Sequence, residues 1–219
     1  MNCRSINHWN LQSEYIRCFS SGRVYAERIQ LEASGNIFVC DNSPRRSTTA
    51  SAIAVIETMA YLEQRGTRFG RTVIQVNCDE IDVNIEEFIE ISSRLQPLAK
   101  SIIFEISNAR LCLVSQTFRQ FLRDSQARRI KSILSISHGW EIDLIYPSMS
   151  TLMPQFLGID IEILTEKFSE IQFALKGLRQ TTQPIEFVVI VNNIRSSADM
   201  LKAKEIGAQL TSGLMATVE

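Results

Sequence analysis

The chain has 219 residues, 45% of them hydrophobic and 21% charged, with a formal net charge of −1 from 23 basic and 24 acidic side chains. That length suits one domain whose core needs neither metal nor disulfide, and the charge balance excludes the strongly basic footprint of a nucleic-acid-binding surface. Five cysteines (Cys3, Cys18, Cys40, Cys78 and Cys112) are odd in number, widely spaced and free of any C-x-x-C pair. They read as buried free thiols of a reducing compartment, not as a disulfide framework or a zinc site.

Met1 to Gln12 is polar and lacks the apolar stretch of a signal peptide. No run approaches the ~20 apolar residues of a membrane span. The expectation is a cytoplasmic protein with a 1–12 N-terminal segment and a single domain over 13–219.

Arg23 to Leu31 (RVYAERIQL) reads as a strand, with a shorter one over Ile37 to Cys40. Ser47 or Thr48 caps a helix that runs to about Gln64 and stops at Gly66, its apolar stripe being Ala52, Val55, Ile56, Met59 and Ala60. Arg71 to Asn77 is β-branched and strand-like, and Asn84 caps a helix carrying Ile85, Phe88, Ile89 and Leu95. Ser101 to Ile106 is a strand, followed by a helix from Val114 to about Arg129 and a strand from Ile130 to Ser137. Phe156 to Ile161 forms a further strand. Leu164, Phe168, Ile171, Leu175 and Leu178 step through one helix. Glu186 to Val191 is the most apolar strand, Ser197 starts a helix ending near Gly207, and Gln209 to Leu214 closes the series. Apolar strands alternating with amphipathic helices predict a parallel sheet buried on both faces. At least six such strands over this length favour a TIM-like (β/α) barrel with parallel strands over an open doubly wound sheet.

Chemistry in such a barrel sits at the carboxyl ends of the strands. Three polar residues stand out there: Glu27 within VYAERIQL, Asn77 ending RTVIQVN, and Glu105 in SIIFEI. Together they have the donor types for a hard cation such as Mg²⁺. Taken singly, each also reads as a strand-end residue satisfied by a backbone donor or by water.

The ordered series resembles the EAL domains, barrels that hydrolyse cyclic di-GMP in bacteria. The E-A-L segment corresponds to Glu27-Arg28-Ile29, N-L-S to Asn77-Cys78-Asp79, and E-[IVL]-T-E to Glu105-Ile106-Ser107-Asn108. K-I-D corresponds to Gly158-Ile159-Asp160, A-E-G-V-E-T to Val191 through Ser196, and Q-G-Y to Ser212-Gly213-Leu214, preceded by Ile206-Gly207-Ala208. The resemblance covers about residues 13–215.

Its departures carry the functional reading. The bridging aspartates of D-D-F-G fall on Ile136 and Ser137, followed by His138 and Gly139. The lysine falls on Gly158, the glutamates of E-G-V-E on Asn192 and Arg195, and the glutamine on Ser212. A phosphate-contacting arginine falls on Leu31. The resemblance therefore implies a degenerate, non-enzymatic member in which Glu27, Asn77 and Glu105 are relic metal-site positions and Arg195 reaches in as a salt-bridging plug. No cofactor is expected, with weak Mg²⁺ binding as the alternative. His138 reads as a loop histidine. Trp140, Ile145 and Tyr146 fall in an apolar stretch that suits either core packing or a partner surface.

Function is accordingly expected to be regulatory, through binding another protein, a transcriptional or signalling regulator of motility, biofilm or virulence, without nucleic-acid or membrane contact. The alternative is a cyclic di-GMP receptor or a residual phosphodiesterase.

Overall fold

A computed structural model of the chain describes residues 8–34, 58–64, 69–77, 90, 93–94, 97, 99–107, 116–127, 130–136, 155–180 and 187–214. The strands β1 (His8–Cys18), β2 (Val24–Ser34), β3 (Phe69–Asn77), β4 (Ala99–Ser107), β5 (Lys131–Ile136), β6 (Phe156–Asp160), β7 (Val188–Asn192) and β8 (Leu210–Thr211) close into a barrel in sequence order. Among the described residues the helices are 58–64, α1 (Gln116–Ala127), α2 (Ile161–Glu166), α3 (Phe168–Gln180) and α4 (Ser197–Glu205).

The barrel is not wholly parallel. β1 runs antiparallel to β2, from His8↔Ser34 to Arg17↔Val24, and antiparallel to β8 at Arg17↔Thr211 and Cys18↔Leu210. All other pairs are parallel. The tight turn after Cys18, with Gly22 at φ 64, makes an antiparallel neighbour of a segment whose polar composition hid a strand. Residues 8–12 thus belong to β1, and the expected boundary after Gln12 falls inside a strand. The single helix expected over 164–178 is two, α2 and α3, broken at Lys167 with φ −117 and ψ 33. The expected strand at Ile37–Cys40, residues 47–57 of the first helix and most of the 84–95 helix lie outside the described residues.

Strand alternation sorts the core into two parts. One buried cluster takes a single residue from every strand: Ile16, Ala26, Val73, Ile103, Ile133, Phe156, Ile190 and Leu210. This is the apolar layer inside the barrel. The other residues of the same strands, such as Ile74, Val76, Phe104, Leu134, Leu157 and Val189, point outward and pack beneath the helices with Phe121, Leu164, Ile171 and Leu175. Being buried on both faces, the strands read as continuous apolar runs.

Candidate functional site

Two residues along each strand from the apolar layer, on the carboxyl-end side, the interior changes character. The positions are Glu14, Arg28, Gln75, Glu105, Ser135, Gly158, Asn192 and Ser212. None is apolar apart from the glycine. Five of them, Arg28, Gln75, Glu105, Ser135 and Asn192, line a cavity of about 260 Å³ at the mouth, together with Gln30, Asp160, Glu162 and Asn193.

Arg28 fills the centre. Its side chain is 3% exposed. Nη1 donates to Glu14 Oε2 at 2.7 Å and to Ser212 Oγ at 2.9 Å. Nη2 donates to Glu105 Oε1 at 3.1 Å and to Asn192 Oδ1 at 2.8 Å. Nε lies 2.6 Å from Glu105 Oε2, a close charge contact off the N–H axis. The guanidinium thus lies side-on against Glu105 while its far edge reaches β1, β7 and the end of β8, the fork geometry that favours arginine over lysine. Glu105 also accepts Ser135 Oγ at 2.7 Å and Asn192 Nδ2 at 3.4 Å. Burial alone disfavours the charged guanidinium, but the fields of Glu105 and Glu14 outweigh it and hold Arg28 above the usual arginine range. Gly158 leaves room for this arrangement: a Cβ there would sit 2.7 Å from Ser135 Oγ and 3.4 Å from Asn192 Nδ2.

The three expected cation ligands do not meet. Glu27 and Arg28 are adjacent on β2 and so face opposite ways, and it is Arg28 that faces in. Glu27 is buried on the outside of the barrel wall, beside Thr72, where Tyr61 Oη donates to its Oε1 at 3.4 Å. Glu105 faces in. Asn77 sits by register one layer above it, opposite Ser107, two residues beyond Gln75. Arg195 does not plug the site either. It is 62% exposed and pairs at 3.1 Å with the exposed Glu162. Arg195 follows Asn192–Asn193, where Asn193 turns into the left-handed region (φ 63), so the chain has left the barrel wall before it is reached. Asn193 also donates to Asp160 Oδ2, while Asp160 Oδ1 caps α2 through Glu162 N at 2.8 Å. Among the described residues no group of three metal-ligand side chains converges. Ser137, His138, Trp140, Ile145 and Tyr146 lie outside the described residues. Sequence reasoning missed Glu14, and it assigned the inner face of β2 to Glu27, which turned Arg28 to the opposite side of the strand. The signal that finds them is the step of two from the apolar layer.

A closed barrel with its mouth at the carboxyl ends of parallel strands belongs to the class of (β/α) barrels with one antiparallel strand. No protein-family model matches the chain, and no curated protein matches it. Solved structures do, and EAL domains are among them. The EAL enzyme Bd1971, in its cAMP- and cyclic-di-GMP-bound form, superposes with a TM-score of 0.65 at 11% identity over 96% of this chain and 61% of that one. The EAL domain of FimX from Xanthomonas citri, in complex with c-diGMP, gives 0.68 at 10% identity over 96% of this chain and 87% of that one. BlrP1 of Klebsiella pneumoniae, in a calcium and cy-diGMP complex, gives 0.69 at 10% identity over 94% of this chain and 54% of that one. The chain therefore has an EAL-like barrel fold and spans about three fifths of Bd1971 and half of BlrP1.

Proposed function

We propose that this protein is a non-enzymatic, EAL-like regulatory protein that acts in the cytoplasm by binding another protein, a transcriptional or signalling regulator, in bacterial control of motility, biofilm or virulence. The observation that carries the reading is Arg28. Its guanidinium occupies the centre of the mouth and engages Glu105, the interior carboxylate that a cation would need. A divalent ion at Glu105 would have to displace a buried, hydrogen-bonded cation, so no cofactor is required and Mg²⁺ has no ready site. General base or metal-hydroxide chemistry needs a carboxylate free to accept a proton or a metal, and Glu105 is committed.

The mouth is also unsuited to a dianionic dinucleotide. Among the described residues its charged lining is one cation, already paired, against the carboxylates of Glu105, Asp160 and Glu162. Phosphate recognition needs free cationic or backbone N–H donors.

The second reading, a cyclic di-GMP receptor or residual phosphodiesterase, is favoured by the structural neighbours crystallised with that dinucleotide. Calorimetric titration with cyclic di-GMP, with and without Mg²⁺, separates the two. The expected result is no heat of binding and no turnover. Micromolar binding, or hydrolysis lost on Glu105→Gln, overturns the regulator reading.

A further inference from the structure

We propose that the floor of the barrel, at the amino ends of the parallel strands, is a docking surface for an acidic segment of a partner protein. This deepens the regulator reading by assigning it a surface.

The floor is closed by two rings in edge contact, Tyr25 and Phe156, with centroids 6.0 Å apart and planes at 61°. Each ring carries a cation. The Arg71 guanidinium lies 4.2 Å from the Tyr25 centroid, and the Lys131 ammonium 5.7 Å from that of Phe156. Arg17 and Arg23 flank the same edge through the β1–β2 turn, with Arg17 Nη1 donating to the Gly22 carbonyl at 3.1 Å. The cations therefore follow an arc across β1, β2, β3 and β5.

Among the described residues no anion answers them. The described strand ends there, 17–25, 69–71, 99–101, 130–131, 155–156, 187–188 and 209–210, contain no Asp or Glu. Among the described residues, none of these four cations pairs with a carboxylate. At the opposite end Glu14, Glu105, Asp160 and Glu162 gather at the mouth. Among the described residues, carboxylates thus gather at the mouth and unpaired cations at the floor.

Stacking fixes the direction of this charge. A guanidinium lying over a ring keeps its edge N–H groups free to fork onto a carboxylate. Arginine and aromatic residues together are the usual anchors of protein interfaces, and Val24, 51% exposed beside them, supplies apolar contact. An acidic protein segment fits better than nucleic acid. Four cations make a short arc, and the overall charge provides no long-range attraction for a phosphate backbone.

The test uses the full chain and fluorescence anisotropy. The probes are a labelled Asp- and Glu-rich peptide containing Leu and Tyr, a single-stranded oligonucleotide of equal charge, and phosphatidylserine vesicles. The peptide is expected to bind with an affinity that falls as salt rises, and Arg71→Glu with Lys131→Glu is expected to weaken it about tenfold or more. Arg23→Glu, on an exposed turn, repeats the comparison should the double variant melt early. No peptide binding at millimolar concentration, equal binding by both variants, or tighter binding of the oligonucleotide or vesicles overturns the proposal. Cyclic di-GMP binding would remove the regulator reading and leave the result for the floor standing.

Discussion

Arg28→Met removes the guanidinium and keeps most of the side-chain volume. Glu105 is then left 3% exposed with Ser135 and Asn192 as its donors, one of them at 3.4 Å. Breaking a buried ion pair from one side costs about 3–5 kcal/mol, because the remaining charge has lost its partner. Glu14 adds little to that cost, since its side chain is 31% exposed and turns to water. The expected loss is therefore about 3–4 kcal/mol in urea unfolding followed by circular dichroism, with an unchanged m-value. Arg28→Met combined with Glu105→Leu removes both charges and is expected to recover most of the loss, giving a coupling of about 2–3 kcal/mol in the double-mutant cycle. A loss below about 1 kcal/mol for Arg28→Met, or simple additivity in the cycle, would refute the assignment of Arg28 as the buried cation of the mouth.

Arg195→Glu, on an exposed pair, is expected to change stability by no more than about 0.5 kcal/mol, and millimolar Mg²⁺ is expected to leave the melting temperature of the unmodified protein where it is, since only binding to the folded state raises it. Gly158→Ala drives a Cβ to 2.7 Å from Ser135 Oγ and is expected to cost about 1–3 kcal/mol by denaturant titration. Ser196→Ala removes the side chain that accepts Asp199 N in the capping box of α4 and is expected to cost about 1 kcal/mol. Slight burial pushes the Asp199 carboxyl up, but the backbone N–H groups of Arg195 and Ser196 and the Ser196 hydroxyl outweigh it and hold Asp199 below its usual range. Its contribution is present above the unfolded carboxylate range and is lost as pH falls through the lowered value, so Ser196→Ala is expected to flatten the acid limb of the stability profile.

The strands that sequence pattern finds most readily are those with apolar residues on both faces. β3 to β7 read as near-continuous hydrophobic runs, and the barrel follows from their number and spacing. β1 escapes because HWNLQSEYIRC carries one fully buried apolar residue, Ile16, among the side chains the structure describes. The site was legible by residue type but not by direction. On β2 the run Ala26-Glu27-Arg28-Ile29 is buried throughout, so no polar-out, apolar-in alternation marks the inner face. A carboxylate next to an arginine then looks like the ligand, although a one-residue shift exchanges inside for outside. Glu105 was found because its neighbours Phe104 and Ile106 are both apolar and both face the helices. The salt bridge that joins Arg28 to Glu105 spans 77 residues, and no local pattern reports it.

The layer below the mouth places a cation of the protein's own among its carboxylates. An open mouth lined by carboxylates holds a repulsion that metal relieves. Here the same level carries an internal cation. The Nη1 and Nη2 groups of Arg28 donate to four oxygens, Nε makes only its close charge contact with Glu105, and Glu105 has partners on β2, β5 and β7. These bonds tie β1, β2, β4, β5, β7 and the end of β8 across the barrel, just beyond a β1–β8 pairing that is only two residues long. A buried polar network bonded across several strands favours one arrangement of them. On that reasoning Arg28 is a closing element, and loosening it should show first at the β1–β8 seam. In Arg28→Met, amide hydrogen exchange is expected to quicken at Phe19, whose N–H bonds the Gln209 carbonyl beside that seam, more than at Ile190 in the centre of β7. Uniform acceleration across all strands would mean that the network stabilises the barrel as a whole and does not hold the seam.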